Sequence, residues 1–411
     1  MCDVAQYNLT NVCYAKEILQ GYLTAEEAKQ LIIKNEGLSF IDCGKNSLLL
    51  GKTSTKSALI KVCTNIGISN ADQLDGELRK IDSLNKLPYK PDIIFDHTRG
   101  NLTEKPLWKY MLEIYDGVIA AAPVVLCFDE NKGLDKNLLL EKIEELASDG
   151  VRLMLFHPTA TSKLWKAAES RIYPTTSWNG GLLQRDMLIN KRKDSLITYI
   201  FDDILAILSK YNVTCDIGTV FRPARISEAL DDAHRGELEL QEYYIKRAKD
   251  SGVFTIREGI GHISLGKVEE FCSVLDKSTP IMPLPVSTDS AIGFDHIAGA
   301  TATTLIGYFA NLGIINPVTR LEHTGGIPSY DDIIEALKTA RTVAHSLDLR
   351  NIPEVYKYDD FISDKRQKGK SCRANGGLFD VNQNQTGDIA CDRCDIHCPF
   401  IYDLEYGAVV S

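Results

Sequence analysis

Three cysteines near the end of the chain, Cys391, Cys394 and Cys398, stand in a C-x2-C-x3-C array, the densest cluster of thiols in the 411 residues. In a reducing compartment thiols at this spacing are metal ligands and not half-cystines. Two chemistries fit them. A [4Fe–4S] cluster on three thiolates leaves one iron open to chelate the amino and carboxylate groups of S-adenosylmethionine, whose reductive cleavage gives a 5′-deoxyadenosyl radical. A structural zinc completed by His397 or Cys372 fits the spacing equally well. The remaining cysteines are scattered, as buried small hydrophobes usually are.

A second set of chemistry-bearing residues recurs through the middle of the chain, each just after a short apolar run. In order these are Asp96 and His97, Asp129, His157, Asn179, Arg222, Glu258 with His262, Asp289, and Glu322 with His323. Imidazole suits Zn, Fe or Co, and His262 and His323 each follow a carboxylate, Glu258 and Glu322, able to ligate or to orient a ring. The pair is therefore a candidate for a second, mononuclear divalent metal. Asp295-His296 precedes a small-residue run, Ala298 to Thr304, and both an N-cap and a ligand role are open to it. Arg222 and Arg225 can bind an anion through bidentate hydrogen bonds.

Such residues meet only if one architecture carries the ends of all the runs to the same place. The runs Asp92–Phe95, Pro123–Phe128, Arg152–Phe156, Val213–Ile217, Val253–Ile256, Ile281–Val286 and Gly313–Val318 predict strands, and Ile60–Thr64 and Ile172–Thr175 two more. Apolar residues at three- and four-residue steps predict helices over Leu138–Ala147, Ser195–Lys210, Ser227–Asp250 and Tyr330–Leu347. Strand and helix in alternation imply a parallel sheet, and this many repeats favour a closed (β/α)8 TIM barrel over an open doubly wound sheet. Its strand ends would form one mouth. With more candidates than eight places, one strand is expected outside, the first being the candidate. The expected organisation is an N-terminal region over 1–88, the barrel over 89–350, and over 351–411 a glycine- and asparagine-rich linker leading to the iron–sulfur tail.

The net charge of −10 disfavours a phosphate backbone as partner, so nucleic acid is not expected. No run of about 18 apolar residues predicts a membrane span, and Met1–Thr10 lacks the flanks of a signal peptide. The expected compartment is the cytoplasm.

Arg222-Pro223-Ala224-Arg225-Ile226-Ser227-Glu228-Ala229, with Asp232-Ala233, resembles the R-P-G-S-I-x-D-A-x-D-E-A stretch of the phosphomethylpyrimidine synthase family. Glu258-Gly259-Ile260-Gly261-His262 is similar to its E-G-P-G-H, Thr288 to Ile297 to T-D-I-A-P-G-Y-D-H-I, and Val318 to His323 to V-T-P-K-E-H. Upstream, Val62 to Gly67 resembles V-N-A-N-I-G, and Phe156-His157 the I-H end of a barrel strand. The resemblance implies a barrel, a [4Fe–4S] cluster on Cys391, Cys394 and Cys398, S-adenosylmethionine and a reducing electron donor. It also implies a mononuclear metal on His262 and His323, and a homodimer in which the tail of one subunit closes the site of the other. Asn65, His157, Asn179, Arg222 and Glu258 would bind a small heterocyclic substrate, 5-aminoimidazole ribonucleotide, with Glu258 and Asp289 as catalytic residues. A branch of the family makes 5-hydroxybenzimidazole, a cobamide precursor, and a silent barrel with a structural zinc tail is the non-catalytic alternative.

The chain departs from the pattern in three places. The family's C-x2-C-x4-C tail is one residue shorter here. Its S-R-G-G, a substrate phosphate contact, reads Ser177-Trp178-Asn179-Gly180-Gly181, and its D-G-L-R-P-G reads Thr219-Val220-Phe221-Arg222-Pro223-Ala224, without the acid. A charged ligand group left unpaired in a closed pocket costs several kcal/mol, so these changes point to a rebuilt pocket.

Overall fold

In the computed structural model, which describes residues 37–53, 57–100, 102–369, 372, 377–379, 394, 397–399, 402–403 and 408–409, the chain first forms a hairpin of β1 (Leu38–Ile41) and β2 (Leu48–Gly51). Eight parallel strands follow: β3 (Lys61–Ile66), β4 (Ile93–Asp96), β5 (Val118–Ala121), β6 (Leu153–Phe156), β7 (Thr214–Ile217), β8 (Thr255–Gly259), β9 (Ile281–Pro283) and β10 (Ile314–Ile315). They pair in the order β10-β3-β4-β5-β6-β7-β8-β9. A parallel bridge between Ile281 and Leu312, with Gly313 N donating to Ile281 O at 3.0 Å, joins the last strand to the first side and closes the barrel.

Alternation along the strands explains both faces. Cys63, Ile93, Phe95, Val118, Ala120, Leu153, Leu155, Ile256, Met282 and Ile314 point inward and pack as one cluster. Their neighbours Val62, Ile94, Ile119, Met154, Phe156, Cys215 and Ile217 point outward against the helices. Ile41, Leu48 and Leu50 of the hairpin join the inner cluster, so the hairpin seals the end of the barrel where the strands begin. Asn311 ties it down: its amide donates to Gly37 O at 2.6 Å and its carbonyl accepts from Lys52 N at 2.8 Å. With that end closed, chemistry is left to the other.

The helices are α1 (Leu74–Asn85), α2 (Leu107–Ile114), α3 (Pro123–Cys127), α4 (Lys136–Asp149), α5 (Ser162–Ala167), α6 (Trp178–Ile189), α7 (Leu196–Lys210), α8 (Asp232–Asp250), α9 (Leu265–Ser273), α10 (Asp295–Phe309), α11 (Tyr330–Asn351) and α12 (Tyr356–Lys368). Their starts are written in the sequence. Asp135 accepts from Asn137 N and Leu138 N to begin α4, Ser177 accepts from Gly180 N to begin α6, and Asp231 accepts from His234 N to begin α8. In α7, Leu196, Ile197, Ile200, Phe201, Ile204, Leu205 and Leu208 are buried, a helical stripe in which each side chain contributes roughly 1.5–3 kcal/mol.

The predicted barrel, and its strands near residues 93, 153, 214, 255, 281 and 314, are found. Three expectations are corrected. The run at Ile60–Thr64, the candidate for lying outside, is barrel strand β3, so the barrel begins near residue 61 and not 89. Pro123–Phe128 is a helix: Pro123 occupies its first position, where a missing N–H costs nothing, and the strand lies just before it at Val118–Ala121. Ile172–Thr175 is loop, with Ile172 and Tyr173 largely exposed.

The chain divides into two compact units, residues 1–347 and 348–411. In the second, the start of the region expected to be a linker is helical through Lys368, including the basic Lys365, Arg366 and Lys368, and α12 buries none of its residues. Most of the expected linker over Ser371–Ile389 lies outside the described residues, as does Cys391. Cys394 is half-buried and Cys398 buried, and His397 N donates to Cys394 O at 2.9 Å. Cys372 is exposed and not a buried hydrophobe.

Candidate active site

Glu258 ends β8 on the inward side and lies at the floor of the mouth, 4% exposed. One carboxylate oxygen accepts from Thr219 N at 2.6 Å and Thr219 Oγ1 at 3.0 Å, and the other accepts from an Arg222 guanidinium N–H at 3.0 Å. His157 Nε2 stands 3.5 Å from the first oxygen and 3.2 Å from Ser177 Oγ, which links the network to the start of α6. Burial would raise the carboxyl, but Arg222, His157 and the Thr219 N–H outweigh it and hold Glu258 well below the usual range. It is therefore an anion inside a protein, kept so by its partners.

Two further residues shape this floor. Asp216, inward on β7, is fully buried, and among the described residues no side chain pairs with either of its oxygens. Burial and the Glu258 charge push it far up, which favours its protonated form beside an ionised neighbour. His97, half-buried just past β4, is lowered to about 4 by desolvation, with His157 and Arg222 adding to the effect and Glu258 opposing it. A neutral imidazole is the form at pH 7. Asn65, on the inward side of β3 and open to solvent, donates to Asn316 Oδ1 at 3.2 Å.

On the β9–β10 side, His262 and His323 converge. Their Nε2 atoms are 3.1 Å apart, and each Nδ1 lies 2.7 Å from a carboxylate oxygen, of Asp289 for His262 and of Asp295 for His323. When each Nδ1–H donates to its aspartate, both Nε2 lone pairs face the same point, an arrangement that a cation between them relieves. Two nitrogens at about 2.1 Å from one metal stand roughly 3.0–3.4 Å apart, so the pair fits a divalent ion. Among the described residues no third His, Cys, Asp or Glu joins them to complete a ligand set. Local packing explains the position of His262. Its N–H donates to Pro223 O at 3.1 Å, and a Cβ on Gly261 would lie 2.4 Å from that same oxygen. Only glycine lets the two loops lie this close.

The structure thus brings Asn65, His157, Arg222 and Glu258 to the mouth and pairs His262 with His323. The orienting carboxylates are not the expected ones: Glu322 is exposed and Glu258 serves Arg222 and Thr219, while Asp289 and Asp295 hold the rings. Asp289 also accepts Ile226 N with its other oxygen, so both of its carboxylate oxygens are engaged. Asn179 sits in the first turn of α6, buried, its carbonyl oxygen unpartnered. Asp129 belongs to an exposed turn, accepting from Asn131 N and Lys132 N. Asp216, Thr219, Ser177 and the orienting role of Asp295 were not read as site features. A polar residue at an inward position of a strand was the available signal for Asp216.

A closed parallel barrel with ionisable side chains gathered at the strand ends and its opposite end sealed is the arrangement of a barrel enzyme. The chain matches the Radical SAM ThiC family over residues 23–388, and belongs to that family. It is 31% identical over 320 residues to 5-hydroxybenzimidazole synthase BzaA of Eubacterium limosum, covering 74% of this chain and 73% of that protein. It is 30% identical over 321 residues to the phosphomethylpyrimidine synthase of Natronomonas pharaonis, covering 74% of this chain and 65% of that one. Among solved structures, a dihydropteroate synthase of Xanthomonas albilineans aligns with TM-score 0.40 and 11% identity, over 74% of this chain and 98% of its own. Membership in the family implies a [4Fe–4S] cluster and S-adenosylmethionine.

Proposed function

We propose that this protein is a radical S-adenosylmethionine lyase that rearranges 5-aminoimidazole ribonucleotide, or a closely related heterocycle, into a cofactor precursor of the thiamine pyrimidine type. The observation that carries the reading is the mouth, which places the ionised Glu258 network and the carboxylate-oriented His262–His323 pair at the ends of one set of strands. Cys391, Cys394 and Cys398 would hold the cluster, which with S-adenosylmethionine would supply the hydrogen-abstracting radical.

The chain's own residues bind and orient. Glu258, held as an anion, accepts the N–H donors of an aminoimidazole, and His157 and Asn65 flank it. Neutral His97 adds a donor or acceptor without adding charge. His262 and His323 would hold a divalent zinc or iron ion, with water or substrate in its remaining positions. Ile292, Phe294 and Ile327, largely exposed on the loops beyond β9 and β10, are an apolar rim that the tail of a second copy would cover in a homodimer. The cytoplasm supplies the reducing conditions this chemistry needs. No helix among the described residues is long and apolar enough to cross a membrane.

Anaerobic reconstitution tests the reading. The expected result is a brown protein with about four irons that forms 5′-deoxyadenosine under reduction. Mass analysis of the product from aminoimidazole ribonucleotide then separates the pyrimidine from 5-hydroxybenzimidazole, the product of the second branch, to which the 31% identity lends support. A colourless zinc protein that forms no 5′-deoxyadenosine refutes both.

A further inference from the structure

The family's phosphate contact S-R-G-G has no arginine here, and the two arginines of the neighbouring loop are not free to replace it. Arg222 is committed to Glu258 at 3.0 Å, and Arg225 to Glu228 at 3.0 Å. A different cation stands at the altered motif. Arg99, three residues past the end of β4, lays its guanidinium 4.8 Å from the ring centroid of Trp178, the residue after the Ser177 cap of α6. Its side chain is exposed, and among the described residues no carboxylate lies within ion-pair distance of it.

We infer that Arg99, seated on Trp178, is the anion-binding residue of this site and holds the phosphate of a phosphorylated substrate in place of the missing arginine. The inference rests on the proposed function for the identity of the ligand, though not for the existence of the anion site. A guanidinium stacked on an indole keeps its in-plane N–H fork free, the edge that pairs with phosphate oxygens. Trp178 is the first residue of α6, so the guanidinium lies beside the start of that helix. The first N–H groups of a helix lack intrahelical acceptors, and those of Trp178 and Asn179 follow the Ser177 cap. Asn179 itself is 4% exposed with its amide carbonyl oxygen unpartnered, and with the amide turned over its N–H2 takes that place as a donor an anion would satisfy. Ser177, next in sequence to Trp178, contacts His157, which contacts Glu258, so the Arg99–Trp178 pair connects to the heterocycle floor through Ser177 and His157.

The test uses the full chain and two probes. Inorganic phosphate, titrated by calorimetry, should bind the wild type, and Arg99→Gln should weaken it at least about tenfold, the loss expected of a charged hydrogen bond. Trp178→Ala, which removes the ring beneath the guanidinium, should weaken it less. The melting midpoint of Arg99→Gln should match the wild type, because the side chain is exposed. Phosphate binding unchanged in Arg99→Gln, or absent from the wild type, overturns the inference. In the second arm, the wild type should prefer aminoimidazole ribonucleotide to its unphosphorylated riboside, and Arg99→Gln should erase that preference without weakening the riboside. If phosphate binds through Arg99 but the ribonucleotide does not bind, the anion site stands and the proposed substrate falls.

Discussion

Glu258 and Asp216 are two carboxyls on adjacent strands in the same interior, and they are in opposite states for a physical reason. Glu258 has a guanidinium, an imidazole and a backbone N–H to hold its charge, whereas among the described residues no side chain pairs with Asp216, which is buried with the charge of Glu258 beside it. Replacing Glu258 by Gln turns one acceptor oxygen into an N–H2 that faces donors on either side and leaves Arg222 without its anion. Breaking a buried pair in this way should cost about 3 kcal/mol, read as a lowered melting midpoint, and should weaken substrate binding. Asp216 predicts a pH dependence of the opposite kind. Its carboxyl titrates near 3.9 in the unfolded chain, roughly, but far higher when folded. As pH rises above the unfolded value, the unfolded state gives up its proton and the folded state keeps it, so stability falls until the folded value is passed. Asp216→Asn removes that slope. Its melting midpoint should gain on the wild type between pH 5 and pH 8, and a constant difference across that range would mean that Asp216 is not held protonated.

At the scale of elements, the strands and loops decide which residues meet, and this is where the sequence was only partly legible. Runs of large apolar or β-branched residues such as Leu153–Phe156 and Thr214–Ile217 declared themselves, but Val118–Ala121 did not, because its alanines carry little β signal and the apolar run continues into the helix begun by Pro123. His262 and His323 could be picked out as a pair, but their true carboxylates could not. Asp289 is 27 residues from His262 and Asp295 is 28 from His323, so only the closed barrel brings them together. The sequence neighbour Glu322 misled because adjacent residues in a turn point different ways. The loop after β7 gives a sharp test of how tightly the elements position the floor. A Cβ on Gly218 would fall 2.6 Å from the His157 ring, so Gly218→Ala must turn the imidazole away from Ser177 and Glu258. A displacement of about 1 Å can cost on the order of a hundredfold in rate. The variant should remain folded by circular dichroism while 5′-deoxyadenosine formation and substrate turnover fall at least about tenfold.

Across the whole molecule, the residues that set stability and the proposed cluster ligands lie in different stretches of chain. Among the described residues, every buried apolar side chain but Cys398 lies before residue 356, and the barrel's inner and outer layers are complete by Leu347. The cysteines lie beyond α12, a helix that buries nothing. A chain ended at Gly369 therefore removes no part of the barrel core. It should melt cooperatively within a few degrees of the full chain, because the apolar area that sets its stability is retained. It should still show the pH dependence attributed to Asp216, since that residue and Glu258 stay in place. It should take up no cluster iron and form no 5′-deoxyadenosine, since Cys391, Cys394 and Cys398 are gone. Unfolding of the shortened chain would mean that the last 42 residues are part of the fold, by subtraction of 369 from 411. Retention of 5′-deoxyadenosine formation would place the cluster elsewhere and remove the basis of the proposed chemistry.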